Sequence, residues 1–362
     1  NKSIIYSSLN NGRSTGSYSA GSSGPGQGYN GFENFTDTGF TLNEHAGGGE
    51  INHPSRTYIA WCWRAGGAPT VLNDSGATES SNNGSYTYKV AGQTPTAGSV
   101  KIDGENMSGA FTSADRYPSK MSVNNKAGFS MFTYYPPKAG GPITIPHGLS
   151  KAPEFVAVKT VQNGGFHGSG GSAQSGDWMI YHVSTGNTKK INFNNTNQAS
   201  AGSTYWNNTS PTDSLITLGS DLNIASSWSN SATEYVCYCW HSVPGFSAFG
   251  SYKSISLNDG TEDGPFVYTG FKPAWLMIKA ASLNSTNWMI WDNARDTYNR
   301  TDNILRANTS GQEVDGTWKI DFVSNGFKIR TLSSDHINRA DSIETYVYMA
   351  FAEQTTNFTT AR

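Results

Sequence analysis

The sequence predicts an all-β chain of tandem homologous β-sandwich domains with a small β-rich insertion. Three observations carry that reading. Aromatic and β-branched runs of strand length recur along the chain. The same landmarks return 110 or 111 residues later, as at Trp178/Trp288 and Tyr235/Tyr346. Turn residues separate the runs at short intervals.

The composition excludes other classes. Of 362 residues, 14% are charged, against roughly 25% in an ordinary soluble domain. Polarity comes from Asn, Ser, Thr and 40 Gly. A long coiled coil would be rich in Ala, Glu, Lys, Leu and Arg. A disordered chain would lack the 10 Trp, 18 Tyr and 17 Phe present here. The formal net charge of −2 leaves no electrostatic footprint for nucleic acid or anionic membrane. No apolar run approaches the roughly 18 residues that span a bilayer, so no membrane insertion is expected. The chain starts Asn1-Lys2-Ser3, without a Met or a signal pattern, and reads as a piece of a longer polypeptide.

Three runs mark the ends of repeat copies: Tyr58 to Trp63, Tyr235 to Trp240, and Tyr346 to Phe351. The last two copies also match upstream. Gly128-Phe129 parallels Gly245-Phe246, Pro153 to Lys159 parallels Pro273 to Lys279, and Trp178 to Tyr181 parallels Trp288 to Trp291. The period is far longer than the roughly 20–50 residues of solenoid repeats and has the size of a domain. The expected division is therefore 1–66 as the C-terminal part of a truncated copy, 67–127 as a β-rich insertion, 128–242 and 245–354 as β-sandwich repeats, and 355–362 as a tail. In the last copy the expected strands are 246–252, 265–269, 274–281, 287–292, 317–323, 326–331 and 345–352. About seven short strands in one copy is a sandwich signature. Asn325-Gly326 between alternating flanks reads as a hairpin. Trp275 and Trp288 lie in apolar strand runs and are assigned to the core.

The chemistry-bearing residues are sparse. Cys62, Cys237 and Cys239 are odd in number, which argues against a disulfide framework, and Cys237 and Cys239, two apart in one strand run, read as small buried apolar residues. None of the seven His makes a short-spaced ligand pair; His147 reads as a solvated or turn-stabilising residue. No nucleophile elbow and no phosphate loop is present. Asp259, Glu262 and Asp263 are the densest acidic cluster, able to offer oxygen ligands to Ca²⁺ but favoured as turn carboxylates. Arg295 is expected to tie Asp292 and Asp296 at a strand end. No catalytic residue, metal site or cofactor is assigned, and the chain is read as a non-enzyme. Trp206 and Trp228 lie among Asn, Ser and Thr, as an exposed indole that stacks on a sugar would. They are the candidate glycan contacts, with Tyr298 a third. The competing reading folds each Trp over a sandwich edge or into a subunit interface.

Several strings carry a family resemblance. Gly264 to Trp275, Asn287 to Ile290, Phe322 to Lys328, and Tyr346 to Glu353 resemble repeats in tail-fibre-like and other virion proteins of marine phages, cyanophages included. Tyr117 to Asn124, leading into Gly128-Phe129-Ser130, resembles the same family's inter-repeat segment. The resemblance covers most of residues 30–354 and brings no catalytic motif with it. It implies a virion structural protein on the particle surface, self-associating as a homotrimer and contacting other virion proteins. The leading expectation is a tail-fibre or spike segment that attaches to host-surface polysaccharide. An architectural head fibre, decoration or adaptor is the first alternative, and a polysaccharide depolymerase the second.

Overall fold

The computed structural model describes residues 32–36, 38–42, 55, 57–80, 87–161, 177–225, 234–255 and 262–353. The first elements are two short antiparallel pairs, β1 (Phe32–Phe35) with β2 (Phe40–Leu42) and β3 (Thr78–Ser80) with β4 (Thr87–Lys89). There follow β5 (Val100–Ile102), β6 (Glu105–Asn106), β7 (Lys120–Asn124) and β8 (Phe129–Tyr134). The first copy continues with β9 (Ile143–Pro146), β10 (Phe155–Val161), β11 (Met179–His182), β12 (Lys189–Asn192) and β13 (Ser200–Ala201). It ends with the one-turn helix α1 (Ser203–Trp206), β14 (Leu215–Leu218) and β15 (Glu234–Trp240). The second copy contains β16 (Ser247–Lys253), β17 (Phe266–Tyr268), β18 (Pro273–Ala280) and β19 (Met289–Asp292). It closes with β20 (Leu305–Arg306), β21 (Ile320–Val323), β22 (Gly326–Ile329) and β23 (Thr345–Ala352). The chain is all-β in class, and the seven strands expected in the second copy are all present, with β20 in addition.

The two copies build the same sheet. The first has the order β8-β15-β10-β11-β12, and the second has β16-β23-β18-β19-β20. The first sheet is longer: β13 extends it beyond β12, and β7, β5 and β6, from residues 100–124, extend it beyond β8 to nine strands. Register refines the repeat. Phe129 pairs with Trp240 and Ser247 with Phe351, so Phe129 corresponds to Ser247, one residue beyond the Phe246 that the sequence match suggests.

Each large sheet buries both faces. Its outer face is covered by a small sheet, β9-β14 in the first copy and β17-β22-β21 in the second. The inner faces pack on one another. Along β15, Val236, Tyr238 and Trp240 point into this shared core while Tyr235, Cys237 and Cys239 point to the outer one. Along β23, Val347, Met349 and Phe351 point inward while Tyr346, Tyr348 and Ala350 point outward. Side chains alternate across a strand, so a central strand covered on both faces must be apolar throughout. The two copies thus meet through equivalent faces.

Polar groups stitch the seam. The Trp288 indole N–H donates to the Asn192 carbonyl at 2.9 Å. The Ala199 N–H donates to Ala281 O at 2.9 Å. His182, fully buried, has Nε2 3.1 Å from Tyr348 O, while its Nδ1 accepts the Ser184 N–H at 3.1 Å. That pairing requires the proton on Nε2 and a neutral ring. The buried Lys279 ammonium donates to Thr286 Oγ1 at 2.6 Å and to Ala280 O at 3.1 Å, and burial pushes it down to about 8.

The segment 57–65 differs from expectation. It is not a strand; among the described residues no neighbouring strand lies alongside to pair with it. It keeps strand-like alternation all the same, with Trp61 and Trp63 packed on the shared core and Cys62 exposed. Trp63 sits 5.4 Å from Trp275, 5.6 Å from Phe351 and 6.4 Å from Trp240, edge-on to each. All three closing runs therefore converge on one core. Cys237 and Cys239 are buried. The Asn325-Gly326 hairpin forms, but Gly326 is already in β22, opposite Val323. Its role is close approach: a Cβ there would lie 2.0 Å from Val267 O of β17.

Two outcomes follow. Trp288→Ala removes a fully buried indole from the seam and should cost about 3–5 kcal/mol in urea unfolding. His182 and His147 are both held neutral by burial and pushed down to about 4. The unfolded chain takes up protons near pH 6.5 and the native chain does not, so stability falls as pH drops from about 6.5 to 4. Each His contributes up to about 3 kcal/mol to that loss, and His182→Gln should flatten the slope in denaturation series across this window.

Candidate functional site

The site forms on the loop that follows β19, beside the outer small sheet of the second copy. The loop is shaped by its own side chains. Asp292, buried at the strand end, accepts the Ala294 and Arg295 N–H groups through Oδ1, at 3.1 and 3.0 Å. Short Asp side chains commonly turn a chain in this way. The Arg295 Nε donates to Asp292 Oδ2 at 2.7 Å and its NH1 to Glu313 at 2.8 Å. Arg295 therefore ties Asp292 to Glu313, not to Asp296 as expected. Asp296 accepts the N–H groups of Asp302 and Asn303 at 2.9 and 2.8 Å, closing the loop on itself.

Asn299 fixes the tip. Its Nδ2 donates to Phe322 O at 2.9 Å and its Oδ1 accepts the Phe322 N–H at 3.0 Å. The amide behaves as a short extra strand segment beside β21. Thr301 and Ile320 exchange a further pair of backbone bonds at 2.9 and 3.0 Å. Tyr298 lies between these anchors and projects outward, 85% exposed. Beneath it opens a cleft of about 230 Å³ lined by Lys272, Asn293, Asp296, Thr297, Asn299, Thr301 and Phe322. Lys272 makes no ion pair among the described residues. Among the described residues the Asn293 amide has only a long 3.5 Å contact, to Glu353. The cleft thus offers an aromatic ring, a cation and an amide at a rigid rim. Asp302, nearby in the loop, is held above the usual carboxylate range by desolvation, then by Asp315 and Asp296.

The other expected residues fall elsewhere. Trp206 is 3% exposed, with its N–H donating to Lys189 O at 2.9 Å and its ring edge-on to Tyr181 at 5.8 Å. It has no face open for stacking. Its polar neighbours have a local cause: Asn207 and Asn208 adopt the left-handed conformation (φ 50 and 49) that ends the single helical turn and folds Trp206 inward. Nor is it in a subunit contact, because its own copy buries it. Trp228 lies outside the described residues. Glu262 pairs with Arg300 and with Lys319, and Asp263 pairs with Lys328 at 2.7 Å. Those carboxylates are spent on cations. Asp259, third in that cluster, is outside the described residues. Among the described residues no group of three or more His, Cys, Asp or Glu forms a metal cluster. His147 is a turn residue, as one expectation had it, but it is buried, with Nε2 3.0 Å from Thr212 O and Nδ1 accepting the Leu149 N–H at 3.2 Å.

Lys272, Asn293 and Asn299 are not singled out by the sequence. The usable signal is the run of Asn and Asp after the apolar Trp288 to Trp291, which marks a loop built by side-chain-to-backbone bonds. The difference between the two candidates is measurable. Trp206→Ala should lower stability by about 3–5 kcal/mol, whereas Tyr298→Ala should leave the melting temperature within about 1 °C of the parent, as exposed substitutions commonly change stability by less than about 0.5 kcal/mol.

Comparison with known proteins finds one family. Its model, described as a domain of unknown function (DUF7483), matches residues 16–110 and again residues 103–355. No curated protein and no solved structure matches the chain. The second match spans both repeat copies and the seam between them, more than half of the chain, so the chain belongs to the DUF7483 family.

Proposed function

We propose that the chain is a virion structural protein of a phage, a tail-fibre or spike segment displayed on the particle, which attaches to host-surface glycan at the Tyr298 cleft. The observation that carries the attachment reading is Tyr298 itself. Its ring is 85% exposed on a loop pinned on both sides, so it is presented to a ligand with little left to order on binding. Sugar rings present an apolar face for such a ring and hydroxyls for an amide and an ammonium, here Asn293 and Lys272. The cleft is smaller than the roughly 300–1,000 Å³ of sites for drug-sized ligands, so it suits one sugar ring of a longer chain. The virion assignment rests on the resemblance of the repeats, and the low charge and double-sided burial suit a durable extracellular body. Self-association and contacts with other virion proteins belong to the same reading.

The alternative is an architectural role as head fibre, decoration or adaptor, and the attachment reading has lost one of its candidate aromatics. Trp206, the first aromatic expected to meet a ligand, is used inside the fold. A glycan array separates the two. The intact chain should bind a subset of bacterial surface polysaccharides, and Tyr298→Ala or Lys272→Ala should weaken that binding about tenfold or more with unchanged melting. Binding that survives both substitutions would remove the cleft from the account. No binding by any assembly would leave the architectural role.

A further inference from the structure

We infer that the outer edge of β16 is a strand-pairing surface occupied by β16 of a second copy of the chain, the two strands running antiparallel across a two-fold axis. Four observations carry this. First, β16 ends the five-stranded sheet, and its seven residues exceed every other edge strand among the described residues, none of which is longer than four. Short edges protect sheets from pairing with other chains, and a long regular one invites it. Second, β16 pairs with β23 without a bulge and contains no Pro.

Third, among the described residues the second half of this edge, from Ser251 to Lys253, is open in hydrogen-bonding terms. The Ser254 N–H donates to Glu344 O at 3.0 Å and the Ala352 N–H to Phe246 O at 2.7 Å, so even-numbered positions face β23. Odd-numbered positions face away: Ser247 bonds back to Val243, and the Phe249 N–H donates to Ser242 Oγ at 3.3 Å. The outward N–H groups of Ser251 and Lys253 have no acceptor among the described residues. Fourth, the equivalent edge in the first copy is covered. There β7 lies along β8, and the Ser119 N–H reaches the Thr133 carbonyl at 2.7 Å. Thr133 corresponds to Ser251 in the register fixed by the closing strands. The fold therefore pairs this edge where it supplies a strand, and the second copy supplies none among the described residues.

The occupant follows from self-complementarity. Centring the axis on Ser251 sets Ser251 opposite its counterpart and Lys253 opposite Phe249 of the other chain. The outward N–H groups of Ser251 and Lys253 then meet the outward carbonyls of Ser251 and Phe249 in the other chain, and the one charge of the strand avoids its own copy. A two-fold contact of one surface with itself is closed, so it yields a dimer and not a filament.

The test is the mass of the intact chain in solution against concentration. Ser251→Pro removes an outward N–H without touching the ladder to β23, and proline is accepted where that side of an edge strand faces solvent. The parent should dimerise, and Ser251→Pro should raise the dissociation constant about tenfold or more while its circular dichroism spectrum stays that of the folded parent. Should the proline disturb folding, Ser251→Lys sets like charges face to face at the axis and should dissociate at low salt and recover at high salt. A parent that stays monomeric at 100 µM (roughly a hundredfold above the micromolar range of specific contacts), or any oligomer indifferent to both substitutions, overturns the proposal. A trimer indifferent to them would do so while leaving the attachment reading intact.

Discussion

The contact between the inner faces of the two large sheets is the constraint on which the rest of the structure depends. Residues equivalent by repeat, Trp178 and Trp288, Ile180 and Ile290, Val236 and Val347, Trp240 and Phe351, all enter one core. A sheet that already carries a small sheet on its outside must then be apolar on both faces. This is why the closing strands contain almost no charge, and why the polar residues collect in turns and loops. The ionisable groups that do lie at or beside the seam are held uncharged or hydrogen-bonded: His182 neutral against Tyr348, and Lys279 surrounded by oxygens. A buried group of this kind is tolerated only while each of its bonds is made.

Committing both faces of both sheets to the interior decides what is left for function. Loops, edges and the outward faces of the small sheets, where Phe266 and Tyr268 are exposed, reach solvent. The loop carrying Tyr298 is held by three side chains that bond to backbone, Asp292, Asp296 and Asn299, so an exposed ring is presented on a stiff support. The edge carrying Ser251 is open because, among the described residues, no strand equivalent to β7 lies along the second copy's first strand. The two copies share a sheet order and differ at their rims. A repeated scaffold can diverge there at little cost to its core.

Much of this architecture is legible in the amino-acid sequence. The repeat is readable from Trp and Tyr landmarks because core aromatics at equivalent places cannot drift far without opening a void. The seven strands of the second copy are readable from alternation and turn residues. The remaining features depend on contacts that local sequence does not carry. Residues 58–63 look like a closing strand because they keep its alternation, but a strand also needs neighbours, and neighbours are not local information. Trp206 looks exposed because Asn and Ser surround it, yet those residues make the turn that buries it. Arg295 reaches Glu313, eighteen residues on, in place of the nearer Asp296. The cleft brings together Lys272, Asn293 and Phe322, which only the sheet places side by side.

The most direct test of the shared core is native-state hydrogen exchange in rising urea, read on peptides from β15 and β23. These strands lie in different copies and send side chains into the same core. If the inner faces hold one another, both strands exchange through the same opening, with equal free energies and equal urea dependence. Two separate free energies, with one strand protected while the other has opened, would contradict the account.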